Sequence, residues 1–126
     1  VWSLDGTQIV FVGFSQQPEA HQSYVVSSQG GDALRLLPKD NGPQTDPNGS
    51  PDGSKIAFST SKLGGRNPKS EIRVLDVASR RIDTLPGSQG MFSPRWPPDG
   101  RLIAAVNRHP RHLRSHAGRE VIQLVV

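Results

Sequence analysis

The chain of 126 residues contains no cysteine. Disulfide frameworks, thiolate zinc sites and cysteine nucleophiles are therefore excluded, while the redox compartment stays open. Aromatic residues are scarce, with two Trp, one Tyr and four Phe. Apolar runs are short, none nearing the roughly 18 residues of a membrane helix, so no membrane insertion is expected. No charged-then-apolar stretch opens the sequence, so no signal peptide is expected within it. Glycine patterns that cradle nucleotides are missing as well, since Gly30-Gly31 and Gly64-Gly65 read as turn glycines. A nucleophile elbow needs G-x-S-x-G, and Gly13-Phe14-Ser15-Gln16-Gln17 fails at its last position. The expectation is a chain that is not an enzyme, with no catalytic residue and no cofactor.

Glycine and proline are plentiful, 13 and 11 residues, which marks a turn-rich domain. The net charge of +4 is unevenly spread. Residues 1–60 carry three basic and six acidic side chains, and residues 61–126 carry twelve basic and five acidic. The densest basic stretch, Arg108 to Arg119, holds four Arg and three His with no acid. Such a half attracts acidic protein surfaces or phosphate, and otherwise serves as a solvated face.

Internal similarity organises the chain. WSLDGTQIVF from Trp2, GSPDGSKIAF from Gly49 and WPPDGRLIAA from Trp96 align, and Asp5, Asp52 and Asp99 follow one another at 47-residue steps. Gly6, Gly53 and Gly100 keep the same step, as do Ile9, Ile56 and Ile103. Asp-Gly is a turn pair, with Gly taking positive φ and Asp bonding local amides, so these aspartates read as structural. The apolar runs that follow (IVFV, IAF, LIAAV) suit strands buried on both faces. With an opening strand before the turn, of which Val1-Trp2 is the end, a further strand (YVV, IRVLDV) and a short last one (LRLL, IDTL) complete each unit. The fold class is all-β, in four-stranded antiparallel units that cannot bury both faces alone. Radial stacking solves that problem, which makes each unit a β-propeller blade. Trp2 and Trp96, just before the turn, are expected to wedge into the core between blades. Residues 1–48 form blade 1, 49–95 blade 2, and 96–126 a partial blade 3 with a basic loop at 108–118, about 2.7 blades in all.

The W-S-P-D-G-x-x-I-A-F pattern, followed by I-x-V-x-D and a short strand, resembles the TolB-like repeat of bacterial propellers. The same repeat occurs in propellers of prolyl-oligopeptidase-like proteins and beside winged-helix regulators, and Leu85–Val106 is similar to the last group. Departures stand at Leu4 for Pro, Gly49 for Trp, Pro97 for Ser, and in Arg108–Gly118. The resemblance implies closed rings of six or more blades, and therefore either missing sequence or oligomerisation, most simply a homodimer of three plus three blades. It implies a protein–protein or ligand-binding scaffold, with the gating propeller of a peptidase lacking its hydrolase domain as the alternative. An extracytoplasmic, periplasmic location is implied in the same way.

The resemblance also sorts the loops. Phe14–Gln22, Ser61–Ser70 and Arg108–Gly118 would share one face with the connections Pro38–Asn48 and Gly87–Arg95, opposite the Asp-Gly turns. That face would gather Lys62, Arg66, Lys69, Arg95, Arg108 and Arg111 into a basic rim for an acidic peptide, carboxylate or phosphate. No direct nucleic-acid binding is expected, since no recognition helix is present. His109, His112 and His116 have a ligand-like spacing, but the neighbouring arginines would repel a cation, so no metal is assigned. Asp46, Asn48 and Asp52 lack the twelve-residue calcium pattern and already serve a turn.

Overall fold

The computed structural model describes residues 1–62 and 67–107, and the backbone of Glu120–Val125. Three antiparallel sheets follow one another along the chain, and among the described residues there is no helix. The first sheet has the order β1 (Gln8–Gln16), β2 (Glu19–Ser27) and β3 (Leu34–Arg35), with Trp2 bridged to Ile9 beside β1. The second is four-stranded, β4 (Thr45–Gly49), β5 (Lys55–Ser59), β6 (Ile72–Asp76) and β7 (Ile82–Thr84). The third contains β8 (Met91–Arg95), β9 (Leu102–Asn107) and β10 (Glu120–Val125), with β9 in the middle. The sheets open slightly ahead of the units drawn on the turn motif, with Thr45 starting the second and Met91 the third.

The alternation within β5 explains the stacking. Phe58 and Leu75 point to the first sheet, where they meet Val10, Leu36 and Leu37. Ala57 and Ile72 point the other way, against Met91, Ile103 and Ala105 of the third sheet. Successive strand residues face opposite sides, so an uninterrupted apolar run buries both faces of the middle sheet. Phe58, Leu75, Ile72 and Ile103 are all 1% exposed or less, and each such side chain contributes about 1.5–3 kcal/mol on burial.

Polar contacts also tie the sheets together, and one of them spans a full sequence period. Ser93 Oγ donates to Asp46 Oδ2 at 2.7 Å, and these two residues stand 47 apart on β8 and β4. Both have left-handed backbones, φ 49° at Asp46 and 52° at Ser93, and at both the register of the first strand shifts. A bulge there accommodates Pro47 and Pro94, which offer no ladder N–H. The Trp96 backbone N–H donates to Asn48 Oδ1 at 2.8 Å, Arg73 lies 3.6 Å from Asp40, and the Arg80 guanidinium donates to the Leu36 carbonyl.

Several expectations are corrected. Phe14–Gln22 is not a loop: pairing between β1 and β2 continues to Gln16–Glu19, and Phe14 packs edge-on to His21 at 5.3 Å. Pro38–Asn48 and Gly87–Arg95 are loops only in their first parts, because β4 and β8 occupy the remainder. Trp2 is 64% exposed and does not wedge between blades. Trp96 is covered by the sheet preceding its own, where it packs on the cluster around Ile72, whereas Trp2 stands in the first sheet of this chain. The 108–118 loop and His109, His112 and His116 lie outside the described residues.

Candidate functional site

The Asp-Gly turns form one end of the three sheets. Asp5 Oδ1 accepts from the Ser3 hydroxyl (2.6 Å), the Thr7 N–H (3.0 Å) and the Thr7 hydroxyl (2.7 Å). Asp52 Oδ1 repeats the pattern with the Ser50 hydroxyl (2.7 Å), the Ser54 N–H (3.0 Å) and the Ser54 hydroxyl (2.7 Å). The serine hydroxyls also accept the N–H of Gln8 and of Lys55, tying each turn to its strand. The third copy differs. Pro97 and Arg101 replace the two hydroxyl residues, and among the described residues Asp99 Oδ1 accepts only the Arg101 N–H, at 3.0 Å. Gly53 (φ 74°) and Gly100 (φ 68°) take the left-handed position that Gly occupies without steric cost.

Hydrogen bonds to a carboxylate favour its charged form. The Ser3 hydroxyl first, and then the Thr7 N–H and hydroxyl, hold Asp5 at about 2, and Ser50 and Ser54 do the same for Asp52. These folded values lie below the ordinary 3.8, so both groups add stability above about pH 3.8 and lose it as the pH falls through about 2. Changing Ser50 to Ala is expected to raise the Asp52 value toward 3.8 and leave Asp5 at about 2, read from carboxyl carbon shifts in a pH titration. An unmoved Asp52 would show that its neighbouring hydroxyl is not the cause.

The proposed basic rim is only partly assembled. Lys62 and Lys69 are exposed at the two sides of the connection between β5 and β6. Arg95 is also exposed but does not join them. Ser70 lies against the start of β8, its Oγ donating to the Met91 carbonyl at 3.1 Å, and Arg95 ends that strand beside the Asp-Gly turns. At about 3.3 Å per residue, this separates Arg95 from the lysine end by roughly 13 Å. Arg66, Arg108 and Arg111 lie outside the described residues. Gly87–Arg95 is half strand, and β8 carries its last residue to the opposite end of the sheet.

A more extensive surface lies on the outer face of the first sheet, where three blades short of a ring were expected to leave a radial face open. Val10 and Val25 point from the first sheet into the core, so their strand neighbours point outward. Ile9, Phe11, Tyr24 and Val26 therefore share the far face, with Trp2 beside Ile9. Phe11 stacks on Tyr24 at 5.7 Å, and Gly13 leaves room for that ring, since a Cβ there would come within 3.0 Å of Tyr24. Phe11 is 39% exposed and Trp2 64%. The individual residues were not singled out, because the consecutive apolar run of β1 reads, like that of β5, as a strand buried on both faces.

No protein-family profile matches the chain, and no curated protein is similar to it in sequence. Solved structures do match. A putative TolB from Agrobacterium tumefaciens is 22% identical with a TM-score of 0.69, covering 97% of this chain and 46% of that one. TolB from Acinetobacter baumannii is 21% identical with a TM-score of 0.71, covering 97% of this chain and 28% of that one. The β-propeller domain of the Trilobed protease from Pyrococcus furiosus is 19% identical with a TM-score of 0.55, covering 94% and 35%. The chain thus spans less than half the length of each of these structures. Its three sheets have the fold of TolB-like β-propeller blades and form an incomplete ring.

Proposed function

We propose that the chain acts as a non-catalytic, protein-binding scaffold of the TolB-like propeller type. The observation that carries this reading is the uncovered apolar face of Trp2, Ile9, Phe11, Tyr24 and Val26. Contiguous exposed apolar surface, with aromatic anchors and polar surroundings, marks a protein interaction site. A partner that suits this face is a second copy of the chain, whose third sheet has Leu102, Ala104 and Val106 on the side away from Ile103 and Ala105. The fit of the polar chemistry supports a scaffold: Asp5 and Asp52 are occupied in holding turns, and His21 is packed on Phe14. A periplasmic setting accompanies this reading, as the resemblance of the turn motifs implies.

A second reading, the gating propeller of a peptidase, draws on similarity to the Trilobed protease propeller and to prolyl endopeptidases at a TM-score of 0.56. It requires a hydrolase domain on the same polypeptide. Light scattering during size-exclusion chromatography tests the scaffold reading. A particle of twice 13.7 kDa is expected for the 126-residue chain. A particle of 13.7 kDa at every concentration would remove the proposed interface.

A further inference from the structure

Between the second and third Asp-Gly turns the surface opens into a cleft of about 410 Å³. Pro51 and Pro98 form its apolar parts, Trp96 contributes aromatic surface, and Asp52, Asp99 and Lys55 supply the charge. The two turns touch at the cleft's edge, where Pro51 Cδ lies 3.6 Å from the position of a Cβ on Gly100. Both turns belong to sheets of this chain, so the cleft is complete without a partner.

Its polar groups are unequally occupied. Asp52 spends one oxygen on three turn donors, as Asp5 does. Asp99 has lost both hydroxyl donors to Pro97 and Arg101 and accepts a single N–H. Among the described residues its other oxygen has no donor, and a carboxylate has room for about four. Lys55 does not form an ion pair with either aspartate. It stands opposite Asp76 in the register, and Asp76 is held below the ordinary carboxylate range by the Ser79 N–H and hydroxyl and, in smaller part, by the Lys55 charge. The cleft therefore presents two carboxylates beside the part of the half-buried Trp96 ring that lines it, with Lys55 opposite a third carboxylate, Asp76.

We infer that this cleft binds the guanidinium of an arginine side chain on an extended peptide, through Asp99 and Asp52 and against Trp96. A guanidinium is planar and weakly hydrated, stacks on aromatic surface and bonds a carboxylate with two parallel N–H groups. An ammonium shares the charge without the plane, and an anion is repelled. The site lies at the Asp-Gly end, opposite Lys62 and Lys69, and does not rest on the association of two chains.

The indole N–H resonances test the inference, because Trp2 and Trp96 are the only two tryptophans. Trp2 belongs to the first sheet and acts as the internal control. N-acetyl-arginine methylamide is expected to shift the Trp96 resonance saturably, with a Kd on the order of 1 mM. The citrulline analogue, equal in shape but uncharged, is expected to bind at least tenfold more weakly. Asp99→Asn keeps an oxygen for the Arg101 N–H and so retains the turn, and it should weaken arginine binding about fivefold. Lys55→Gln should strengthen it about twofold. Equal binding of citrulline and arginine, an unaffected Asp99→Asn variant whose free spectrum is unchanged, or a Trp96 resonance that does not move would each overturn the inference.

Discussion

Replacing Phe58 with Ala is expected to destabilise the chain by about 3–5 kcal/mol, and Ile72 with Ala by about 2–5 kcal/mol. Both side chains are essentially inaccessible, 1% and 0% exposed, but they act on different joints. Phe58 holds the first sheet to the second through Val10, Leu36, Leu37 and Leu75. Ile72 holds the second to the third through Met91, Ile103 and Ala105. A domain of this size has about 5–15 kcal/mol of net stability, so either loss removes a large share of it. In a stacked array each sheet contacts only its neighbours, and damage to one joint leaves the other chemistry intact. Urea titration followed by Trp96 fluorescence in a Trp2→Phe background, with circular dichroism in parallel, separates the two. Ile72→Ala should move the fluorescence transition at least as far as the circular dichroism transition, because Trp96 packs on the Ile72 cluster. Leu34→Ala, at a residue 67% exposed, should stay within about 0.5 kcal/mol of the parent. A loss below about 1 kcal/mol for both core variants would mean that these clusters do not hold the sheets together.

The same joints show what a sequence of this kind discloses. The run KIAFS is apolar at consecutive positions, and only a strand buried on both faces needs that pattern, so stacked sheets were legible. The Asp-Gly turns were legible because two chemical demands, positive φ and a local acceptor, fall on adjacent residues at a fixed 47-residue step. The opening strands β4 and β8 were hidden by their prolines. Pro47 and Pro94 keep the same step, but proline within a run argues against a strand unless a bulge excuses its missing N–H. That bulge depends on Asp46 and Ser93 adopting left-handed backbones and bonding each other, a relation between sheets that no local pattern contains. Gln22 and Gln44 escaped for a similar reason. They are fully buried, with Gln22 donating to the Gly42 carbonyl and Gln44 accepting the Ser23 N–H, yet buried and exposed glutamines read alike. The candidate site was least legible of all. A basic rim was inferred by assigning Arg95 to a loop, and its strand carries it to the other end of the sheet.

Two copies of the 126-residue chain are expected to associate end to end, and Phe11→Asp is expected to return them to particles of 13.7 kDa. Leu4 fits against Gly53, with only 3.0 Å from its Cβ to where a Gly53 Cβ would stand, and Pro51 fits against Gly100 at 3.6 Å. One step on, Pro98 holds the position of Leu4 and Pro51 in the repeat, and one step back, Gly6 holds that of Gly53 and Gly100. A Cβ at Gly6 would meet nothing within 4 Å among the described residues, and Pro98 is exposed, which offers a seat and a knob of the same series at opposite ends of the three sheets. The charges agree in sign, since the half that carries Gly6 has an acidic excess and the half that carries Pro98 a basic one. Joining the ends brings the half-buried Leu102, Ala104 and Val106 of one copy against Trp2, Phe11 and Tyr24 of the other. Because the contact joins two different surfaces, it forms a closed pair only if a half-turn brings both junctions together, which six stacked sheets around one axis allow. Phe11 is the aromatic at the middle of its face, paired with Tyr24, and losing such an anchor typically costs at least about 2 kcal/mol, roughly a 30-fold loss of affinity. Placing a carboxylate there adds desolvation on top of that loss. Sedimentation velocity over a hundredfold range of concentration, on the parent and on Phe11→Asp, reads both effects together. A parent of 13.7 kDa throughout, or a variant that dimerises as readily as the parent, would place the contacts of this face elsewhere.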